Sequence, residues 1–281
     1  MDSYIDLHVH SNCSDGTFSP EELVFYAQQK GLRAFALTDH DTTAGVKRAV
    51  SAAASSGLTV IPGVELSSDY KNRDIHILGL DIDIENKTFQ HYLEQFQSER
   101  KNRNRKMMEK LTEYGIRISA AAMEAAFPGC VWTRAHFARY LKDNGYVRSM
   151  AEGFEKYVGD EAPCFVAKEQ ISPPEAVELI LGCGGHPVLA HPLLYRLSSA
   201  ELETLVQELS RCGLQGLEAV YSTNRFSDES SMKQLAKRHG LCVTGGSDFH
   251  GSNKPDIDLG SGKGNLKIPY FLWENLRTRR R

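Results

Sequence analysis

Short apolar, β-branched runs in this chain end again and again in a histidine or a carboxylate, with a Gly, Ser, Thr or Pro close behind. The residues placed this way are His8, His10, Asp15, His40, Glu65, His76, His191, Asp248 and His250, and six of the ten histidines are among them. Repeated along a chain, that pattern describes a barrel or open sheet whose strands deliver polar groups from their carboxyl ends to one place. Taken singly, each piece has a plain reading. His8-Val9-His10 puts two imidazoles on one face of a strand, but a lone His-x-His is more often a buried, hydrogen-bonded histidine. Asp15-Gly16 reads as a turn. His76, inside Ile75-His76-Ile77-Leu78, reads as a satisfied core histidine. Asp39-His40-Asp41 and Glu65 close apolar strands, where buried carboxylates without a cation are costly. Chance does not readily place all nine at strand ends, so the set is read as a metal centre.

Around this set the chain alternates strand and helix. Expected strands are Tyr4–His8, Ala34–Thr38, Thr59–Val64, Ile75–Leu80, Pro187–Ala190, Gly216–Val220 and Leu241–Thr244. Expected helices are Pro20–Lys30 (N-cap Ser19, stop Gly31), Thr43–Ser56, Pro174–Leu181, Ser199–Cys212 and Asp228–His239. Such alternation predicts a parallel sheet with crossover helices. It lapses in the middle. Phe89, Leu93, Phe96, Met107 and Leu111 mark one long helix with a basic centre, Arg100 to Lys106, read as a solvated face. Short helical pieces broken by Pro128, Gly129, Gly145, Gly153 and Pro163 follow. The reading is two stretches of barrel, 1–95 and 171–281, with 96–170 inserted as a helical cap.

A donor set this large, mixing imidazole and carboxylate, exceeds one tetrahedral zinc and lacks the cysteines of structural zinc sites. It suits two or three divalent ions of Mn, Zn or Fe, and paired ions suit phosphate-ester hydrolysis. Net charge of −3 gives no field that would hold duplex DNA. No apolar run approaches the length of a membrane span. The six cysteines are dispersed without a C-x-x-C and no leader-like segment opens the chain, so a cytoplasmic protein is expected.

Asp6-Leu7-His8-Val9-His10-Ser11, Thr38-Asp39-His40-Asp41, Pro62-Gly63-Val64-Glu65, Ala190-His191-Pro192 and Gly246-Ser247-Asp248-Phe249-His250 resemble the motifs of the PHP (polymerase and histidinol phosphatase) superfamily, in that family's order. The resemblance implies an α/β fold, a distorted (β/α)7 barrel with the helical insertion as a cap. It implies three ions: one on His8, His10, Glu65 and Asp248; one on Glu65, His76 and His191, with Glu65 bridging; one on Asp15, His40 and His250. Asp15, Glu65 and His250 are the expected catalytic residues, with a metal-bound water or His250 helping to protonate the leaving ribose oxygen. The insertion and Trp132-Thr133-Arg134-Ala135-His136 look closest to the nucleoside 3′,5′-bisphosphate and AMP phosphatase subgroup, although that subgroup often carries Pro where Ala135 stands.

The resemblance implies a phosphatase acting on a phosphorylated small molecule, read as a nucleotide, through a metal-activated hydroxide. Alternatives are a histidinol-phosphate-type phosphatase, a 5′→3′ exonuclease on short RNA, and a non-catalytic metal-binding protein. Arg134 is expected on substrate phosphate, since guanidinium binds phosphate bidentately, with His136 assisting. Tyr221, Asn224 and Arg225, after a strand end, are candidates for the base or a second phosphate.

Overall fold

The structure is a computed structural model and describes residues 3–71, 73–159, 161–166 and 171–279. In chain order its elements begin β1 (Tyr4–Val9), α1 (Pro20–Gln29), β2 (Ala34–Leu37), α2 (Val46–Ala53), β3 (Thr59–Tyr70), β4 (Arg73–Leu80) and α3 (Lys87–Glu113). Then come α4 (Ala120–Ala126), α5 (Arg134–Asp143), α6 (Met150–Gly153), α7 (Pro173–Gly182), β5 (His186–Leu189) and α8 (Ser199–Arg211). The last are β6 (Gly216–Tyr221), α9 (Phe226–Arg238), β7 (Cys242–Gly246), β8 (Ile268–Pro269) and α10 (Phe271–Arg277). Helix starts follow local chemistry. Ser19 with Glu22, Ser172 with Glu175 and Ser198 with Glu201 each form a reciprocal capping box, and α1 and α7 carry Pro in the first turn.

The strands form one sheet in the order β7-β6-β5-β4-β3-β2-β1-β8. It curls until β1 meets β7. Asp248 N donates to His8 O at 2.9 Å, His10 N donates to Phe249 O at 3.0 Å, and Val9 bridges Phe249 in parallel. β8 is a short antiparallel addition beside Tyr4 and Ile5. This is the distorted seven-stranded barrel of the sequence reading, with one difference. β4 runs antiparallel to both β3 and β5. Only two residues separate β3 from β4, too few for a crossover helix. β3 also runs past its expected end at Val64. Glu65 therefore lies inside a strand, and the β3–β4 pair extends as an arm to Tyr70 and Arg73.

The insertion is helical, as expected; residues 167–170 of it lie outside the described residues. Its expected start at residue 96 falls within α3. The first half of that helix packs Phe89, Leu93 and Phe96 on the barrel. Its second half packs Met107 and Leu111 into a separate core with Met123, Phe137, Leu141 and Val158. One continuous helix thus spans both bodies.

Gly246 lets β7 cross β1 at the site. A Cβ there would lie 2.2 Å from the Cβ of His8 and 2.8 Å from the His8 nitrogen. Backbone cannot yield as a flexible side-chain tip does. Gly246→Ala is expected to cost about 2 kcal/mol or more, read as a lowered thermal midpoint. A midpoint equal to wild type would mean that β1 and β7 slide apart freely.

Candidate metal centre

All nine sequence-predicted donors converge at the carboxyl end of the barrel. Glu65 is the hub, reached by five imidazoles. Its Oε2 lies 3.3 Å from His8 Nε2, 3.2 Å from His10 Nε2 and 3.1 Å from His40 Nδ1. Its Oε1 lies 2.8 Å from His76 Nδ1 and 3.0 Å from His191 Nε2. Asp15 Oδ1 is 3.1 Å from His250 Nε2, and Asp15 Oδ2 is 3.7 Å from His40 Nε2. Asp248 Oδ1 lies 3.6 Å from His8 Nε2, 3.4 Å from His10 Nε2 and 3.3 Å from His250 Nδ1. Four overlapping groups result: His10, Asp15, His40 and His250; His8, Glu65 and His191; His8, His10 and Asp248; His40, Glu65 and His76.

The residues fit divalent cations. His8 Nε2, His10 Nε2, Asp15 Oδ1 and His40 Nδ1 are buried yet make no hydrogen bond among the described residues, a costly state for protein atoms alone. Burial pushes the carboxyls of Asp15, Glu65 and Asp248 up, but the cationic groups around them outweigh it. His40 and His250 beside Asp15, His40, His76 and His8 beside Glu65, and Lys254, His250 and His8 beside Asp248 hold all three well below the usual range. Burial, with His10 and His76 nearby, draws the His40 imidazole down to about 3 against the pull of Glu65 and Asp15, which favours its neutral, lone-pair form. His191 and Asp248 sit at φ 23° and 58°, backbone strain of the kind that collects at functional sites.

Outer partners orient the donors. Buried Glu218 accepts from His8 Nδ1 at 3.1 Å and from the His191 backbone N at 2.8 Å. Tyr221 O–H donates to Asp248 Oδ2 at 2.7 Å, and Lys254 Nζ lies 2.6 Å from the same oxygen. Thr133 Oγ1 donates to Asp15 Oδ2 at 2.9 Å, fastening the insertion to the barrel. Of the polar burst Asp39-His40-Asp41, only His40 joins the donors. Asp39 accepts from Ser11 N and Oγ and Ser14 Oγ at 2.8, 2.6 and 2.6 Å. Asp41 accepts from Ser67 N and pairs with Arg100.

Above the donors a cavity of about 500 Å³ opens beneath the insertion. Asp15, His40, His76 and His250 line it together with Arg100, Arg103, Thr133, Arg134, Phe154, Phe165, Asn253 and Lys254. Arg134, the expected phosphate contact, lines this cavity. The other expected substrate contacts do not line this cavity. His136 is buried, its Nδ1 accepting from Thr133 N at 2.9 Å to close the capping box of α5, with its ring on Phe127. Tyr221 holds Asp248 from behind. Asn224 Nδ2 donates to Ala219 O at 2.9 Å, and Arg225 is exposed at the start of α9. The sequence reading took Arg100 and Arg103 for a solvated face. They are buried instead, and the signal was present: 89, 93, 96, 100, 103, 107 and 111 continue one helical stripe.

With this geometry in hand, similarity to known proteins decides the family. The PHP domain model matches residues 6–165. The chain belongs to the PHP domain family. A 3′,5′-nucleoside bisphosphate phosphatase of Chromobacterium violaceum is 34% identical over 98% of this chain and 97% of its own length. A 5′-3′ exoribonuclease of Haemophilus influenzae is 36% identical over 89% of this chain and 91% of its own. Among solved structures, a sulfate-bound amidohydrolase from Chromobacterium violaceum superposes with a TM-score of 0.88 at 34% identity, covering 98% of this chain and 96% of that one. As a PHP protein with its donor set in place, the chain is a metal-dependent phosphoric-ester hydrolase. Among the described residues no helix is long and apolar enough to cross a membrane.

Proposed function

We propose that this protein is a phosphatase of nucleotides, removing a phosphomonoester from a nucleoside 3′,5′-bisphosphate. The observation that carries the reading is that two guanidiniums, Arg103 and Arg134, line the same cavity as the donors, with Arg100 beside them held on Asp41. A phosphate at the donors leaves room in about 500 Å³ for a nucleoside and a second anion, a size ordinary for small-molecule sites. A substrate with one phosphate would leave part of that positive wall unused. The similarity to a bisphosphate phosphatase supports the same reading.

Two or three divalent ions would be held by His8, His10, Asp15, His40, Glu65, His76, His191, Asp248 and His250, supplying a hydroxide at neutral pH and neutralising phosphoryl charge. The remaining work belongs to side chains. Arg134 anchors a phosphate by bidentate hydrogen bonds. Thr133 and Glu218 keep Asp15 and His8 in place. Phe154 and Phe165 give the cavity apolar walls on the cap side, where a base stacks and water is displaced.

Phosphate release by Mn-loaded protein tests this on nucleoside 3′,5′-bisphosphates, AMP, histidinol phosphate and a short 5′-phosphorylated RNA. The bisphosphates are expected to give the highest kcat/KM, and Arg134→Ala to raise their KM. Preference for RNA would place the protein with its exoribonuclease relatives. Preference for histidinol phosphate would remove the nucleotide from the reading.

A further inference from the structure

Asp74 lies two residues before His76 on β4, so both side chains leave the same face of the strand. Asp74 Oδ1 is 3.5 Å from His76 Nε2, and Asp74 Oδ2 is 3.5 Å from Arg134 Nη2. The opposite ring nitrogen, His76 Nδ1, faces Glu65 Oε1 at 2.8 Å. An imidazole offers a metal one nitrogen, and the nitrogen turned toward Glu65 is the one among the donors. A carboxylate beside the far nitrogen favours the tautomer with the proton on Nε2 and the lone pair on Nδ1. Asp74, His76 and Arg134 all line the one cavity. Asp74 is only about one-third exposed (32%), so its orientation is set by these neighbours more than by water.

We propose that Asp74 is a positioning residue that joins the two halves of the site, aiming His76 Nδ1 toward the ion shared with Glu65 and holding Arg134 over the cavity. The Arg134 half rests on the phosphatase reading above; the His76 half does not. A carboxylate serving only as an ion-pair partner for Arg134 would have no need to share a strand face with a donor histidine. It would leave metal binding untouched when altered.

Asp74→Asn tests this because it keeps the shape and a hydrogen-bonding group while removing the charge. Manganese binding is measured by titration against a competing chelator, with metal content counted after dialysis. The weakest-held ion is expected to bind about 10- to 100-fold less tightly, the usual cost of losing an outer partner of a donor histidine. Phosphate release should fall in kcat and recover with excess manganese. Asp74→Glu should restore part of the affinity. Arg134→Ala should show the converse, with KM raised and manganese content unchanged. Wild-type manganese affinity in Asp74→Asn, or a rise in KM with no loss of metal, would overturn the proposal. Loss of metal in Asp74→Asn together with a wild-type protein inactive on every nucleotide would sink the phosphatase reading and leave the His76 half standing.

Discussion

Glu65→Gln is expected to strip the protein of metal and lower phosphate release by about 10⁴-fold or more, the scale on which members of one catalytic unit fail. The reason is geometric. Five imidazoles lie within 3.3 Å of its two carboxylate oxygens, whereas the other two donor carboxylates among the described residues, Asp15 and Asp248, reach only His8, His10, His40 and His250. An amide of the same shape keeps one acceptor oxygen and turns an NH₂ toward rings that are themselves waiting for a cation. Metal content by mass spectrometry and phosphate release are read on the same preparation. A variant that retained its full complement of ions and its rate would place the metal centre elsewhere. Retained metal with lost rate would keep the centre but make Glu65 a group needed in the reaction and not for holding the ions.

The donors were legible in the sequence because each is anchored by a short local signal: an apolar strand, one polar group, a turn residue. Periodicity of two carried His8 and His10. What local signals do not carry is partnership across the fold. Glu218 sits in an apolar strand, Gly-Leu-Glu-Ala-Val-Tyr, and looked like any strand residue; only the barrel's closure brings it to His8 and His191. His136 failed in the other direction. Its place three residues after Thr133 made it a cap for α5, a local role that competed with the phosphate role and won. The antiparallel β4 was hidden because β3 was read to end at Val64; only its continuation to Tyr70 leaves two residues before β4, too few for a crossover. Arg100 and Arg103 were misread because composition was weighed above period: a charged residue in a buried stripe has a reason to be there.

That reason sets the second large effect. Arg103 is 6% exposed, its Nη2 has no hydrogen-bond partner among the described residues, and its Nε donates to the side chain of its neighbour Asn104 at 2.9 Å. Burial, with Arg100 and Arg134 nearby, draws its pKa down to about 9. Guanidinium nevertheless stays protonated in proteins, so the cost of burying this charge is carried as lost stability at every working pH. Arg103→Met keeps a long side chain and removes the charge. The expected result is a thermal midpoint at neutral pH equal to or above wild type, by roughly 2–4 °C for each kcal/mol regained. Binding should move the opposite way, with KM for a nucleoside 3′,5′-bisphosphate rising about 10- to 100-fold, the worth of one charge-assisted hydrogen bond. KM for a nucleotide with a single phosphate should change far less. Inorganic phosphate separates this from simple repacking: it should raise the wild-type midpoint more than that of Arg103→Met, which keeps only the anion position at the donors and Arg134. A variant that melts early and keeps its bisphosphate KM would make Arg103 a packing residue of α3, and the second-anion reading of the cavity would fall with it.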